Sequence, residues 1–165
     1  MKLKLIATSL LLSPLLLASL ARAENPDHVK QLLETGQCPD CNLVGANLQN
    51  ANLERAVLSN AQLSGADFRG AKLNDAILIG ATLRNALFNQ ADMAGADLSD
   101  ANLKGADLSD TKLMNANLNN TDLNFTVLTG ANLKGATMRR ARTRWMKQCN
   151  TTMPDGRVSN LDCKR

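Results

Sequence analysis

From residue 41 to residue 140 the chain keeps a five-residue rhythm that never slips, and few folds accept that period. A Leu, Phe or Met recurs at every fifth position from Leu43 to Met138, by way of Phe68, Phe88 and Met93. Two residues before each stands a small side chain: Cys41 first, then Ala, with Thr at Thr111, Thr121 and Thr126. A straight helix turns about 100° per residue, so five steps advance about 140° and the leucines would wind around it without forming a stripe. A straight strand alternates at period two, so an odd repeat would throw successive leucines onto opposite faces. Both conflicts vanish if the chain turns a corner once per repeat. The small residue and the leucine, two apart, then point inward, the leucine's two neighbours point outward, and the fifth residue makes the corner. That fifth slot holds Gly45, Gly65, Gly70 and Gly80 among its glycines, and Asn50, Asn60, Asn85, Asp100 and Asp110 among the rest. Gly, Asn and Asp are the residues that accept tight-turn backbone angles.

Segments such as Ala46-Asn47-Leu48, Ala66-Asp67-Phe68, Ala96-Asp97-Leu98 and Ala131-Asn132-Leu133, each followed by two polar or Gly residues, resemble pentapeptide repeats. Twenty consecutive matches, covering residues 41–140, carry the resemblance. It implies an all-β solenoid, a right-handed quadrilateral β-helix with four pentapeptides per square coil. Twenty repeats then make about five coils, with a shaft of roughly 24 Å at about 4.8 Å per coil. A solenoid residue gains contacts only where a neighbouring coil exists, so both ends need caps.

Residues 1–23 read as a secretory signal peptide. Lys2 and Lys4 give a basic start, Leu5 to Leu20 is mostly apolar, and Ala21-Arg22-Ala23 fits a small-x-small cleavage site. The apolar run is short for a span of about 20 residues, so no transmembrane segment is expected after cleavage. Residues 24–40 read as a helical cap. Asn25 suits an N-cap, Pro26 the first turn, Asp27 the positive helix end and Gly36 the stop. Val29, Leu32 and Leu33 are expected to cover the first coil. His28, the only histidine, is expected to be a solvated first-turn residue, with no second ligand beside it.

Cys38-Pro39-Asp40-Cys41 is a Cys-x-x-Cys motif. A redox centre would need a βαβ setting, and a zinc site two further close ligands; neither accompanies it. A structural bond or a buried thiol suits an exported chain. Past residue 140 the rhythm fades, so 141–165 is expected to be a second cap, with Trp145 and Met146 packed on the last coil. Met153-Pro154-Asp155-Gly156 signals a turn. Cys149 and Cys163 flank that turn in a loop resembling the C-terminal ends of some exported pentapeptide-repeat proteins, which implies a Cys149–Cys163 bond.

Charge narrows the function classes. The full chain carries +4, but Lys2, Lys4 and Arg22 leave with the signal, so the mature chain is 16 minus 15, or +1. With no Tyr and one Trp there is no visible stacking platform, and nucleic acid is not an expected partner. The charge is uneven along the chain: residues 24–40 carry −3 and residues 139–165 carry +6. Arg139, Arg140, Arg142, Arg144 and Lys147 thus form a basic end suited to an acidic partner or to peripheral contact with an anionic membrane surface.

The repeats contain no phosphate loop, no nucleophile with a His base and no metal cluster, so no enzyme activity and no cofactor are expected. Residues twenty apart should stack. Lys72, Asp92 and Lys112 would form an alternating charge ladder. Val57, Ile77 and Ile79 would form an apolar patch where the pattern calls for polar groups, a candidate docking face for a protein partner or a second copy. The resulting expectation is a structural or protein-interaction module in the periplasm or thylakoid lumen. Some members of the resembled family are DNA mimics that inhibit type II topoisomerases. That alternative calls for a strongly acidic cytoplasmic rod, and this chain departs from it on both counts.

Overall fold

The computed structural model describes residues 25–163. The expected signal peptide at 1–23 lies outside them. Helix α1, Pro26–Thr35, opens the described chain. The Asn25 side chain accepts from the Asp27 N–H, and Gly36, at φ 68°, donates its N–H to the Leu32 carbonyl to end the helix. Leu32 is buried and Val29 packs against the core, but Leu33 is 53% exposed. Adjacent helical residues lie about 100° apart, so Leu33 rotates off the face that Leu32 buries.

From Gln37 to Thr152 the chain coils. Each outward residue ahead of a core residue pairs in parallel with the one twenty positions later, from Gln37↔Val57 through Lys72↔Asp92 to Asn132↔Thr152. The ladder is regular: the Leu43 N–H donates to the Gln62 carbonyl at 2.8 Å, and the Gln62 N–H donates back to Cys41 at 2.8 Å. Between rungs a turn closes, as where the Ala46 N–H reaches the Leu43 carbonyl at 3.1 Å. Every fifth residue from Asp40 to Asn150 has positive φ, the geometry required of the third residue of a type II turn. Four turns and twenty residues bring the chain back over itself.

The interior is apolar. The small and large inward positions are buried together, with Ala51, Met138 and Ala141 only partly covered. Phe68 and Phe88, one coil apart, stack at 4.8 Å with planes 2° apart. The threonines in small slots satisfy their hydroxyls against the backbone: Thr111 donates to the Phe88 carbonyl at 2.9 Å, Thr121 to Leu118 at 2.6 Å and Thr126 to Leu123 at 2.7 Å.

The repeat geometry runs on past residue 140. Ala141, Met146 and Thr151 occupy the next three small slots, and Met146 and Thr151 are buried. Ladder pairs continue at Asp122↔Arg142 and Val127↔Lys147. The large inward beat disappears there, with Thr143 and Gln148 in its place, so the pattern fades in the sequence while the backbone keeps its register. The chain leaves the coil at β1, Thr151–Thr152, which pairs antiparallel with β2, Val158–Ser159.

Candidate interaction surfaces

Both cysteine pairs are disulfides. Cys38–Cys41 spans 5.4 Å between Cα atoms, with both residues buried, and joins a large inward slot to the next small one. Cys149–Cys163 spans 4.8 Å and ties the terminal hairpin to the last coil. His28 is not merely solvated: its Nδ1 accepts the Asn42 N–H at 2.9 Å, a donor that has no preceding coil to serve it. The Asn25 N–H donates to the Asn42 carbonyl at 3.3 Å, so the N-terminal cap serves Asn42 on both its backbone groups.

Val57 pairs with Ile77, and Ile79 lies across Leu78 from Ile77. Ile77 and Ile79 are 37% and 38% exposed. In the charge ladder, Lys112 Nζ lies 3.2 Å from Asp92 Oδ2, while Asn74 Nδ2 donates to the same carboxylate at 2.7 Å.

Three carboxyls have values lowered from the ordinary 3.8. The Arg69 guanidinium lowers that of Asp67, with an ion pair of 2.7 Å. For Asp92, burial pushes upward, but the Ala94 N–H, Lys112 and Asn74 together outweigh it. Burial also opposes the shift at Asp107, where Ser109 and Asn89 prevail. These are outward positions in which a side chain supports the following turn, as where Asp107 accepts the Ser109 N–H at 3.0 Å.

The basic end holds a feature that the sequence reading did not anticipate. Trp145 does not pack on the last coil. It occupies a corner slot at φ 53°, points outward, and is 69% exposed. Phe125, one coil earlier at the same corner, has φ 62° and is 49% exposed. Their rings stack at 4.9 Å, and Lys104 Nζ stands 5.5 Å from the Phe125 centroid. Bulky residues at positive φ are true outliers, costing roughly 1–2 kcal/mol each. An aromatic pair returns about 0.5–1.5 kcal/mol and an exposed cation–π contact about 0.5–1. Two such corners cost about 2–4 kcal/mol against a return of about 1–2.5, so stability does not select the aromatics here. Their signal was legible as two aromatics twenty apart in a slot otherwise rich in Gly, Asn and Asp.

Around this stack the basic end divides. Arg142 lies 3.9 Å from Asp122, and the Asn124 side chain fixes the Arg144 N–H at 2.8 Å. A shallow hollow is lined by Asn124, Arg142, Thr143 and Arg144. Arg139, Arg140, Arg144 and Lys147 are exposed, and among the described residues they form no ion pair. Also among the described residues, no His, Cys, Asp and Glu group could hold a metal ion, and no helix is long and apolar enough to cross a membrane.

Comparison with known proteins agrees with this architecture. The family described as pentapeptide repeats matches residues 40–75, 76–115 and 106–142. No curated protein matches the chain. Among solved structures, the pentapeptide-repeat protein Rfr23 from the cyanobacterium Cyanothece 51142 is 27% identical with a TM-score of 0.71, covering 74% of this chain and 97% of its own. HetL, a pentapeptide-repeat protein involved in heterocyst differentiation regulation in the cyanobacterium Nostoc sp. strain PCC 7120, is 28% identical with a TM-score of 0.58, covering 74% of this chain and 66% of its own. With the repeat matched over more than half its length, the chain belongs to the pentapeptide-repeat family, whose members form right-handed quadrilateral β-helices and are generally structural or interaction modules.

Proposed function

We propose that this protein is a non-enzymatic interaction module that works after export, in the periplasm or thylakoid lumen, and binds an acidic protein partner through its C-terminal end. The observation that carries the reading is the Phe125–Trp145 stack, strained, exposed and set beside Arg139, Arg140 and Arg144, which form no ion pair among the described residues. Exposed aromatic and Arg side chains are the groups that supply most binding energy at protein interfaces. The two disulfides suit an oxidising compartment. The ladder from Gln37 to Thr152 supports a rod of nearly six coils, one more than the twenty repeats of the sequence suggest. The apolar face at Val57, Ile77 and Ile79 is a second docking surface, supported by the exposure of its two isoleucines.

A DNA-mimic role fits poorly, because the mature charge is +1 and the cations gather at one end. Crosslinking in the native host tests the proposal, comparing the wild type with Arg139→Glu plus Arg144→Glu and with Ile77→Thr plus Ile79→Thr. Loss of crosslinked protein in the first variant is expected; unchanged crosslinks in both would overturn the proposal. Fractionation with N-terminal sequencing tests export, with Glu24 expected as the first residue.

A further inference from the structure

The two ends of the rod are finished differently. At the N-terminal end α1 and its flanking residues serve the Gln37 and Asn42 rungs, while the Asn47 and Asn52 N–H groups have no acceptor among the described residues. At the C-terminal end, too, only part of the edge is closed. The hairpin covers the side holding Gln148 and Asn150, whose N–H groups donate to Asp162 Oδ2 at 2.8 Å and Asn160 Oδ1 at 3.0 Å. Residues 136–146, which form two faces and the corner between them, receive no following coil. Their twenty-residue successors are engaged elsewhere. Val158 pairs with Thr152, Cys163 is bonded to Cys149, and the Arg157 carbonyl accepts from Met153 at 2.8 Å.

One coil earlier, the Leu118, Asn120, Leu123 and Phe125 N–H groups donate to Thr137, Arg139, Arg142 and Arg144 at 2.8–2.9 Å. The equivalent N–H groups of Met138, Arg140, Thr143 and Trp145 have no acceptor among the described residues, and the Ala136 and Ala141 carbonyls receive no donor there. Met138 is half-buried and Thr143 exposed, so the inward slots beside this edge also lack a cover.

We infer that this open edge, residues 136–146, is a docking site for an extended acidic segment of a partner protein, which adds to it as one more rung. The inference rests on the interaction-module reading above and specifies how the end is read. An unpaired ladder edge recognises extended main chain, and pockets for alternate side chains give selectivity. Here the inward positions of the segment would be small or apolar, covering Ala141 and Met138. Its outward positions would be Asp or Glu, because Arg139, Arg140, Arg142, Arg144 and Lys147 flank the edge with no acid among residues 136–147. An apolar side chain at the corner would lie on the open face of Trp145. Two basic ends would set +6 against +6, so a second copy would have to dock head to tail, where α1 covers the Gln37 and Asn42 rungs; concentration-dependent self-association of the mature protein through this edge, in place of peptide binding, would overturn the inference.

The test uses the mature protein, residues 24–165, and a synthetic ten-residue peptide, ADLEGADLEG, that continues the rhythm with acidic outward positions. Titration at about 50 mM salt is followed by heteronuclear NMR with amide hydrogen exchange. Binding is expected to slow exchange at Met138, Arg140, Thr143 and Trp145. Thr143→Pro removes one edge donor that no described residue uses, so it should fold normally and weaken the peptide at least tenfold. Arg139→Glu plus Arg144→Glu should weaken it comparably, while Lys134→Glu should not.

Equal affinity of Thr143→Pro and wild type would overturn strand docking in favour of charge attraction alone. Should Thr143→Pro fail to fold, exchange in the wild type decides: bound peptide without slowed edge amides overturns the inference. So does binding of vesicles containing phosphatidylglycerol in place of the peptide, or no peptide binding at all. If peptide binding is absent while the charge-reversed end still loses its native crosslinks, only strand docking falls. If those crosslinks survive, the interaction reading of this end falls too.

Discussion

Phe88→Ala probes the packed interior where it is most specific. The Phe88 ring is fully buried and lies on Phe68 at 4.8 Å with near-parallel planes, in an inward column completed by Leu48, Leu108 and Leu128. Truncating a buried Phe to Ala costs about 3–5 kcal/mol, combining lost transfer free energy with the cavity left behind. The coils above and below are held by backbone ladders at 2.7–3.0 Å, so the site cannot collapse easily and the upper part of that range applies. For a domain of this size each kcal/mol shifts the melting temperature by about 3 °C. A fall of about 10–15 °C is therefore expected in thermal unfolding of the oxidised mature protein, followed by circular dichroism. Phe88→Leu places in the slot the residue that neighbouring coils already use, and should cost only about 1–1.5 kcal/mol. A Phe88→Ala variant melting within about 3 °C of wild type would refute close packing along this column.

Gly80→Ala should destabilise more than Gly65→Ala, although both have φ near 67–68°. Both incur roughly 1 kcal/mol or more for the left-handed backbone. Only the Cβ at 80 would meet Asn60 Oδ1, at 2.6 Å, whereas the space beside Gly65 is open; equal melting temperatures would contradict this. Acid should weaken the fold, because Asp67, Asp92 and Asp107 have values lowered from 3.8. Their contribution is present above the ordinary carboxylate range and is lost as pH falls through the lowered folded values. Urea midpoints should therefore drop below about pH 4, and Asp67→Asn plus Asp107→Asn should flatten that dependence. Replacing both Phe125 and Trp145 by Gly relieves two strained corners and removes one stack, so melting should stay within about 3 °C of wild type. A loss above about 10 °C would make the stack a structural element and not an interaction surface.

The rod was legible because its period is enforced by burial. A slip at any inward slot such as Leu103 or Ala106 would expose a whole face, so the sequence repeats where the physics permits little else. Phe125 and Trp145 broke the corner rule visibly, and the structure explains their exposure: a corner side chain points away from the shaft. The ends were less readable. Ala141, Met146 and Thr151 keep the small slot, but without a large partner the rhythm is lost to the eye while backbone hydrogen bonds sustain the turn. The role of His28 depended on where α1 docks, and nothing in one helical turn states that an imidazole will meet the Asn42 N–H. The open edge at 136–146 was invisible for a similar reason. It depends on where residues 153–163 fold back, which is set by the Cys149–Cys163 bond and the β1–β2 pairing.

The twenty-residue register underlies every surface described here, and engineered disulfides test it most directly. Thr82 and Asn102 are ladder partners on outward positions. Neighbouring strands lie about 4.8 Å apart, within the 4.4–6.8 Å Cα separation that a disulfide accepts. Mature protein carrying Thr82→Cys and Asn102→Cys should oxidise to a new intramolecular bond, identified by mass spectrometry of non-reduced peptides. Thr82→Cys with Asp97→Cys, fifteen residues apart and on adjacent faces, should keep both thiols free. A bond at the fifteen-residue spacing, with none at twenty, would contradict the register and the surfaces built upon it.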